Sequence, residues 1–157
     1  PLCGYSFRAE PDDDGLYDEE AEIRLIEIDL INKSPFRWVS LYPSDKVSIA
    51  SGFSAWVCVC TSDSEDWYAI GGHNGEVKLL TVANRIGAIG SADDFMRQHE
   101  SSRSAKKAAH WMVEPISQKQ WDMLARFGTI RATNKIQAAA HLTFRFNQKK
   151  IEKAMSL

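Results

Sequence analysis

The sequence predicts an α+β fold, with an N-terminal antiparallel β-meander of about five strands covered by a C-terminal set of three to four helices. Three observations predict it. Short runs rich in β-branched and aromatic residues follow one another between residues 36 and 83, separated by turn formers. Beyond Val82 the apolar spacing lengthens from the period of a strand to that of a helix. The charge changes sign along the chain as well. Residues 1–100 carry 8 Lys/Arg against 18 Asp/Glu, and residues 101–157 carry 11 against 3.

Taken in order, the chain divides into a leading segment (1–22), a β-rich part with a helix (23–100) and a basic helical region (101–157). The opening "PLCGYSF" reads like the second half of a C-P-x-C-G zinc knuckle, so the chain is expected to be a piece of something longer. A tetrahedral zinc site needs four ligands, and Cys3 would be a metal ligand only in the longer parent. Residues 8–22, "RAEPDDDGLYDEEAE", are acidic and poor in apolar groups, and read as a linker or mobile loop. "IRLIEIDLI" (23–31) fits both strand alternation and helical spacing, and Pro35 ends it by forcing Ser34 out of the helical region.

The expected strands are "FRWVSLY" (36–42), "KVSIAS" (46–51), "AWVCVCT" (55–61), "DWYAIGG" (66–72) and "EVKLLTVA" (76–83). Their short connections contain "PSD", "GFS", "SDSE" and "GGHNG", which suits an antiparallel meander. A helix follows through Ile86, Ile89 and Met96, weakened by Gly87 and Gly90, with Ser91 a cap for its second half and Asp93 and Asp94 in a first turn. "SSRSAKKAAHWMV" (101–113) reads as a second helix ended by Pro115. "ISQKQWDMLARFG" (116–128) reads as a third, with Ser117 at its N-cap, Trp121, Leu124 and Ala125 on its apolar stripe and Gly128 closing it. Residues 133–155 read as a fourth, capped by Thr133 or Asn134, with Ile136, Ala140, Thr143 or Phe144, and Ile151 on the buried side.

Several chemistries are excluded or weak. No G-x-x-x-x-G-K-[ST] loop occurs, so the chain itself is expected not to be an enzyme that turns over nucleotides and to hold no cofactor. There is no nucleophile elbow and no H-E-x-x-H. Asp93 and Asp94 are adjacent and diverge by about 100° on a helix, so they are no acid/base pair. His73, His99, His110 and His141 stand singly and receive no catalytic role. Cys58 and Cys60 share one face of their strand and read as core packing. No apolar run approaches the roughly 20 residues a membrane span needs, no secretory leader is visible, and the cysteines are too few for a disulfide framework, so the expectation is cytoplasmic.

The remaining signal is basic. Lys106, Lys107, Lys119 and Arg126 surround Trp111 and Trp121, and Arg145, Lys149 and Lys153 share one helical face with Lys150 beside it. Charge interleaved with rings suits unpaired nucleic acid, the charge meeting phosphate and the rings stacking on bases. A solvated basic face is an equally ordinary origin of the pattern. Trp121 is assigned to the core, and Trp111 stays open between core and ligand.

Read together, "PLCGYSF", "IDLINKSPFRWVSL", "SGFSAWVCV", "WYAIGG", "SADDFMRQHE" and "EPISQKQWDMLARFG" resemble successive blocks in the C-terminal region of superfamily 2, DEAD/DEAH-type, helicases of bacteriophages and integrated mobile elements. The order of the blocks carries the resemblance, which spans nearly the whole chain. It implies a parent with two RecA-like motor lobes upstream, where ATP with Mg and a knuckle zinc would bind, and nucleic acid, DNA in particular, as partner. The chain would be a nucleic-acid-binding accessory domain. The alternative is a protein-interaction module that recruits the helicase to a partner. The basic segment 145–153 departs from the more neutral closing stretch of those relatives.

Overall fold

The computed structural model describes residues 11–128 and 131–156. Among them are a five-stranded antiparallel sheet, four α-helices and two short 3-10 turns. The strands are β1 (Trp38–Ser40), β2 (Val47–Ser51), β3 (Ala55–Thr61), β4 (Trp67–His73) and β5 (Glu76–Ala83), and they lie side by side in sequence order. The expected meander is therefore present, strand for strand. Its tightest corner is the two-residue turn Asn74–Gly75, both with positive φ, the geometry that matches the twist of the flanking strands.

Strand alternation sorts the core into two layers. Ala50, Ala55, Val57, Val59 and Ala69 face α2 (Arg85–His99) and pack on its Ala88, Ile89, Ala92, Phe95 and Met96. Ile49, Cys58, Cys60 and Ile70 face the other way, onto Ala140, Ile151 and Ala154 of α4 (Lys135–Met155). Both faces of the central strands are apolar because each has its own helical cover. Cys58 and Cys60 are buried free thiols, as expected of core packing. The hydrogen bond to Cys60, with burial behind it, pushes the Cys58 thiol well above its ordinary pKa.

The helical parts depart from the sequence reading in several places. The stretch expected as an acidic linker is helical from Pro11, and α1 runs Pro11–Lys33. Pro11 stands at the first helical position, where its fixed φ is tolerated, and Glu19, Glu20 and Glu22 are good helix formers facing solvent. Its last turns bind the body through Leu30 and Ile31. Arg85 locks it there, reaching Glu27 at 3.7 Å and Asp45 at 2.7 Å while its guanidinium lies 5.0 Å over Trp67. Asn84, not Ser91, caps α2, its side chain accepting from the Gly87 N–H. Asp93 lies inside the helix, where it accepts the Ser34 hydroxyl at 2.5 Å and binds Arg97.

No helix forms over 101–113. Arg103–Ala105 and His110–Val113 are single 3-10 turns. Between them the backbone is taken by long-range partners: Lys106 bridges Phe36, and the Lys107 N–H donates to the Pro35 carbonyl at 2.7 Å. Helix α3 (Gln118–Ala125) carries the expected Ser117 cap, closed into a capping box by Gln120. Leu124 is its buried residue, whereas Trp121, expected in the core, is 52% exposed. The rim of Ile116, Met123 and Phe127 closes around Leu124, Ala138 and Leu142 instead. No described helix is long and apolar enough to cross a membrane.

Candidate nucleic-acid interface

The expected basic residues do not form one patch. Cys3 lies outside the described residues. Lys106 spends its charge over the Phe36 ring at 5.0 Å, just beyond α1, and Lys107 Nζ binds the Asn32 carbonyl in the last turn of α1. Lys119 and Arg126 are exposed at either end of α3. Arg145 is half-buried beside Gln148 at 3.5 Å, and Lys149 points into solvent. Lys150 and Lys153 differ from these. They line a groove of about 680 Å³ between α4 and the edge strand β5, with Val77, Leu79 and Ala154 as its apolar wall. Neither forms an ion pair among the described residues.

Gly75 lines that groove and also a second one of about 470 Å³, so the two meet at the β4–β5 turn. The second groove lies at the end of the sheet where the β2–β3 loop and the β4–β5 turn sit together, and Phe53, Trp56 and His73 line it. Trp56 lies across β4 at Gly72, where a Cβ would overlap the indole, so the glycine permits the ring to sit flat. Phe53, at the tip of the β2–β3 loop, is 64% exposed and packs 5.6 Å from Trp111. Trp111, the residue left open by the sequence, is thus a half-exposed ring, fixed by its Nε1–H to the Ser104 carbonyl at 2.6 Å.

Glu100 sets this geometry. It is 5% exposed and accepts the Ser54 N–H (2.9 Å), the Ala55 N–H (3.0 Å), the Ser54 hydroxyl (2.9 Å) and the Ser102 N–H (3.0 Å). One carboxylate therefore ties the Phe53 loop to the segment that leads to Trp111. Burial pushes its pKa up, but the N–H donors of Ser54, Ser102 and Ala55 and the Ser54 hydroxyl outweigh it and hold the carboxyl below its ordinary range. Behind the loop, His73 Nδ1–H donates to the Ser54 carbonyl at 3.0 Å, and His73 stacks 4.5 Å from His99. Two histidines that stand singly in sequence are thus neighbours in space. Among the described residues no group of three or more His, Cys, Asp or Glu gathers to hold a metal.

The sequence missed Phe53 and Trp56 as surface candidates. "GFS" reads as a turn and Trp56 as strand core, and the available signal was a large aromatic placed in a three-residue turn. What the arrangement offers chemically is cationic nitrogen in one groove and flat, rigid rings in another, the two sharing Gly75.

Neither a curated protein nor a solved structure matches the chain. A family model described as mitochondrial helicase Irc3, C-terminal domain, matches residues 16–156. The match begins within α1 and ends at the close of α4, covering the sheet and both of its covers. The chain therefore belongs to the Irc3 helicase C-terminal domain family.

Proposed function

We propose that this chain is a nucleic-acid-binding accessory domain of an ATP-dependent superfamily 2 helicase, holding the strand while motor lobes of the same protein pull it. The observation that carries this reading is the groove between β5 and α4, where Lys150 and Lys153 stand over an apolar wall without acidic partners among the described residues. A polyanion supplies the missing counter-charge, and phosphate contacts of this kind give sequence-blind binding with Kd on the order of 10⁻⁴–10⁻⁶ M at physiological salt. The sequence has no phosphate loop, so ATP turnover is assigned to the motor lobes. The resemblance of the sequence blocks supports a parent from a bacteriophage or mobile element, with DNA as the substrate.

Replacing Lys150 and Lys153 together by Glu tests this. Both side chains are exposed, so the fold is expected to survive. Affinity for oligonucleotides of every sequence falls, and the slope of log K against log salt flattens by about one unit per lost phosphate contact. A folded double mutant with unchanged affinity and slope overturns the reading. Exposed Ile23, Leu25 and Ile26 on α1 favour the second reading, a protein-docking module, which would then take its place.

A further inference from the structure

We infer that the end of the sheet carrying Phe53 and Trp111 is a stacking site for unpaired bases, so that the domain selects single-stranded over duplex nucleic acid. The inference rests on the nucleic-acid reading above and adds to it a strand preference and a set of residues. Three observations carry it. Phe53 is a large ring presented to solvent, yet its loop is not loose: Glu100 holds the backbone N–H groups of the next two residues, Ser54 and Ala55, and the Ser54 hydroxyl. An exposed aromatic on a clamped loop loses little freedom when a flat partner arrives, which favours binding. Trp111 packs against it, held by Ser104, and Trp56 is seated across Gly72 in the same depression.

The groove that holds Lys150 and Lys153 begins at Gly75, which lines this depression too. A chain that laid a base on the rings would therefore run its phosphates towards these lysines. Inside a duplex both faces of each base are covered by neighbours, so the rings have nothing to stack on. Only an unpaired or terminal base exposes the face that Phe53 needs. The lysines act on either form, because phosphate is common to both.

The test compares Phe53→Ala, Phe53→Leu and Phe53→Trp in the whole 157-residue chain, titrated against labelled oligothymidylate and against a duplex of mixed sequence. Phe53 is mostly exposed, and unchanged melting temperatures establish that the variants fold. Phe53→Ala is expected to weaken oligothymidylate binding by about 5- to 150-fold, the range for losing one stacked base, with the salt slope and the duplex affinity unchanged. Phe53→Leu keeps an apolar side chain without a flat face and is expected to fall with Ala. Phe53→Trp is expected to restore binding. If wild-type protein binds both forms and Phe53→Ala changes neither, while Lys150→Glu with Lys153→Glu weakens both, the stacking site is refuted and the phosphate groove stands. If Phe53→Leu binds like wild type, apolar contact rather than stacking is at work and the inference fails. If wild-type protein binds neither form, both this inference and the nucleic-acid reading fall together.

Discussion

Removing the Glu100 carboxylate isolates the element on which the ring-bearing end of the domain depends. Glu100→Ala leaves three donors without their acceptor, the N–H groups of Ser54, Ala55 and Ser102, while the Ser54 hydroxyl keeps the His99 carbonyl at 3.2 Å. They do not cost equally. Ala55 is buried, so its N–H cannot turn to water, whereas Ser54 and Ser102 are half-exposed and recover part of their hydration. A buried donor left unpaired costs about 1–3 kcal/mol, and the lost charge-assisted bonds at the wetter groups add to it, for a total of about 3–5 kcal/mol. In a domain of this size that lowers Tm by about 6–20 °C, read by circular dichroism or calorimetry. Glu100→Gln keeps one acceptor oxygen but turns an NH2 group towards donors, so it falls between. The pH dependence follows in sign. The folded-state pKa is depressed, so the contribution is fully present above the unfolded value near about 4.3 and is lost as pH falls through the lower folded value. The gap in Tm between wild type and Glu100→Gln should therefore close on acidification below that point. A Glu100→Ala protein melting within about 2 °C of wild type would refute the clamp, since that is no more than the least cost of one buried unpaired donor and well short of the total.

Two further outcomes are expected. Gly72→Ala should force the Trp56 ring off β4 at a cost of about 1–3 kcal/mol, seen as a lower urea midpoint with unchanged m-value and an altered tryptophan emission; unchanged stability would mean that the indole is not pinned there. His141 is buried, and burial holds its imidazole below the ordinary value, opposed by a hydrogen bond with the Arg131 backbone and aided by the Arg145 charge. Its stabilising neutral form is therefore present above about pH 6.5 and lost as pH falls through the lower folded value, so Tm should decline more steeply across that window in wild type than in His141→Gln. Parallel curves would exclude His141 as the source.

The strands were legible because their signal is local. Val57 and Val59 alternate with Cys58 and Cys60, and "GGHNG" contains the Asn-Gly pair that a two-residue hairpin requires. The Ser117 cap was legible for the same reason. What the sequence concealed was decided at long range. "SAKKAA" has good helix formers, but Lys106 and Lys107 bond to Phe36 and Pro35 some 70 residues earlier, and that pairing overrides propensity. Trp121 stands three residues before Leu124, close enough on a two-turn helix to share its apolar stripe, yet the side chains that close around Leu124 are Ile116, Met123 and Phe127, and Trp121 is left exposed. The basic residues were visible as composition, but composition cannot tell Lys107, bound to Asn32, from Lys150, facing a groove. Phe53 was missed because its importance comes from Glu100, 47 residues away.

The division of labour between the two covers has a consequence for biosynthesis. Helix α2 follows β5 almost at once and can close its layer as soon as the sheet forms, but α4 arrives only after the 3-10 turns and α3 have been made. Until then Ile49, Cys58, Cys60 and Ile70 form an apolar surface with nothing to cover it. A half-made chain on the ribosome is therefore a sheet with one sticky side and two accessible thiols, the kind of species that chaperones capture and oxidants attack. Completion of α4 ends that vulnerable interval, and the same helix that carries Lys150 and Lys153 on its outer surface does so. A nascent chain thus gains its groove lysines and its last layer of core in a single step.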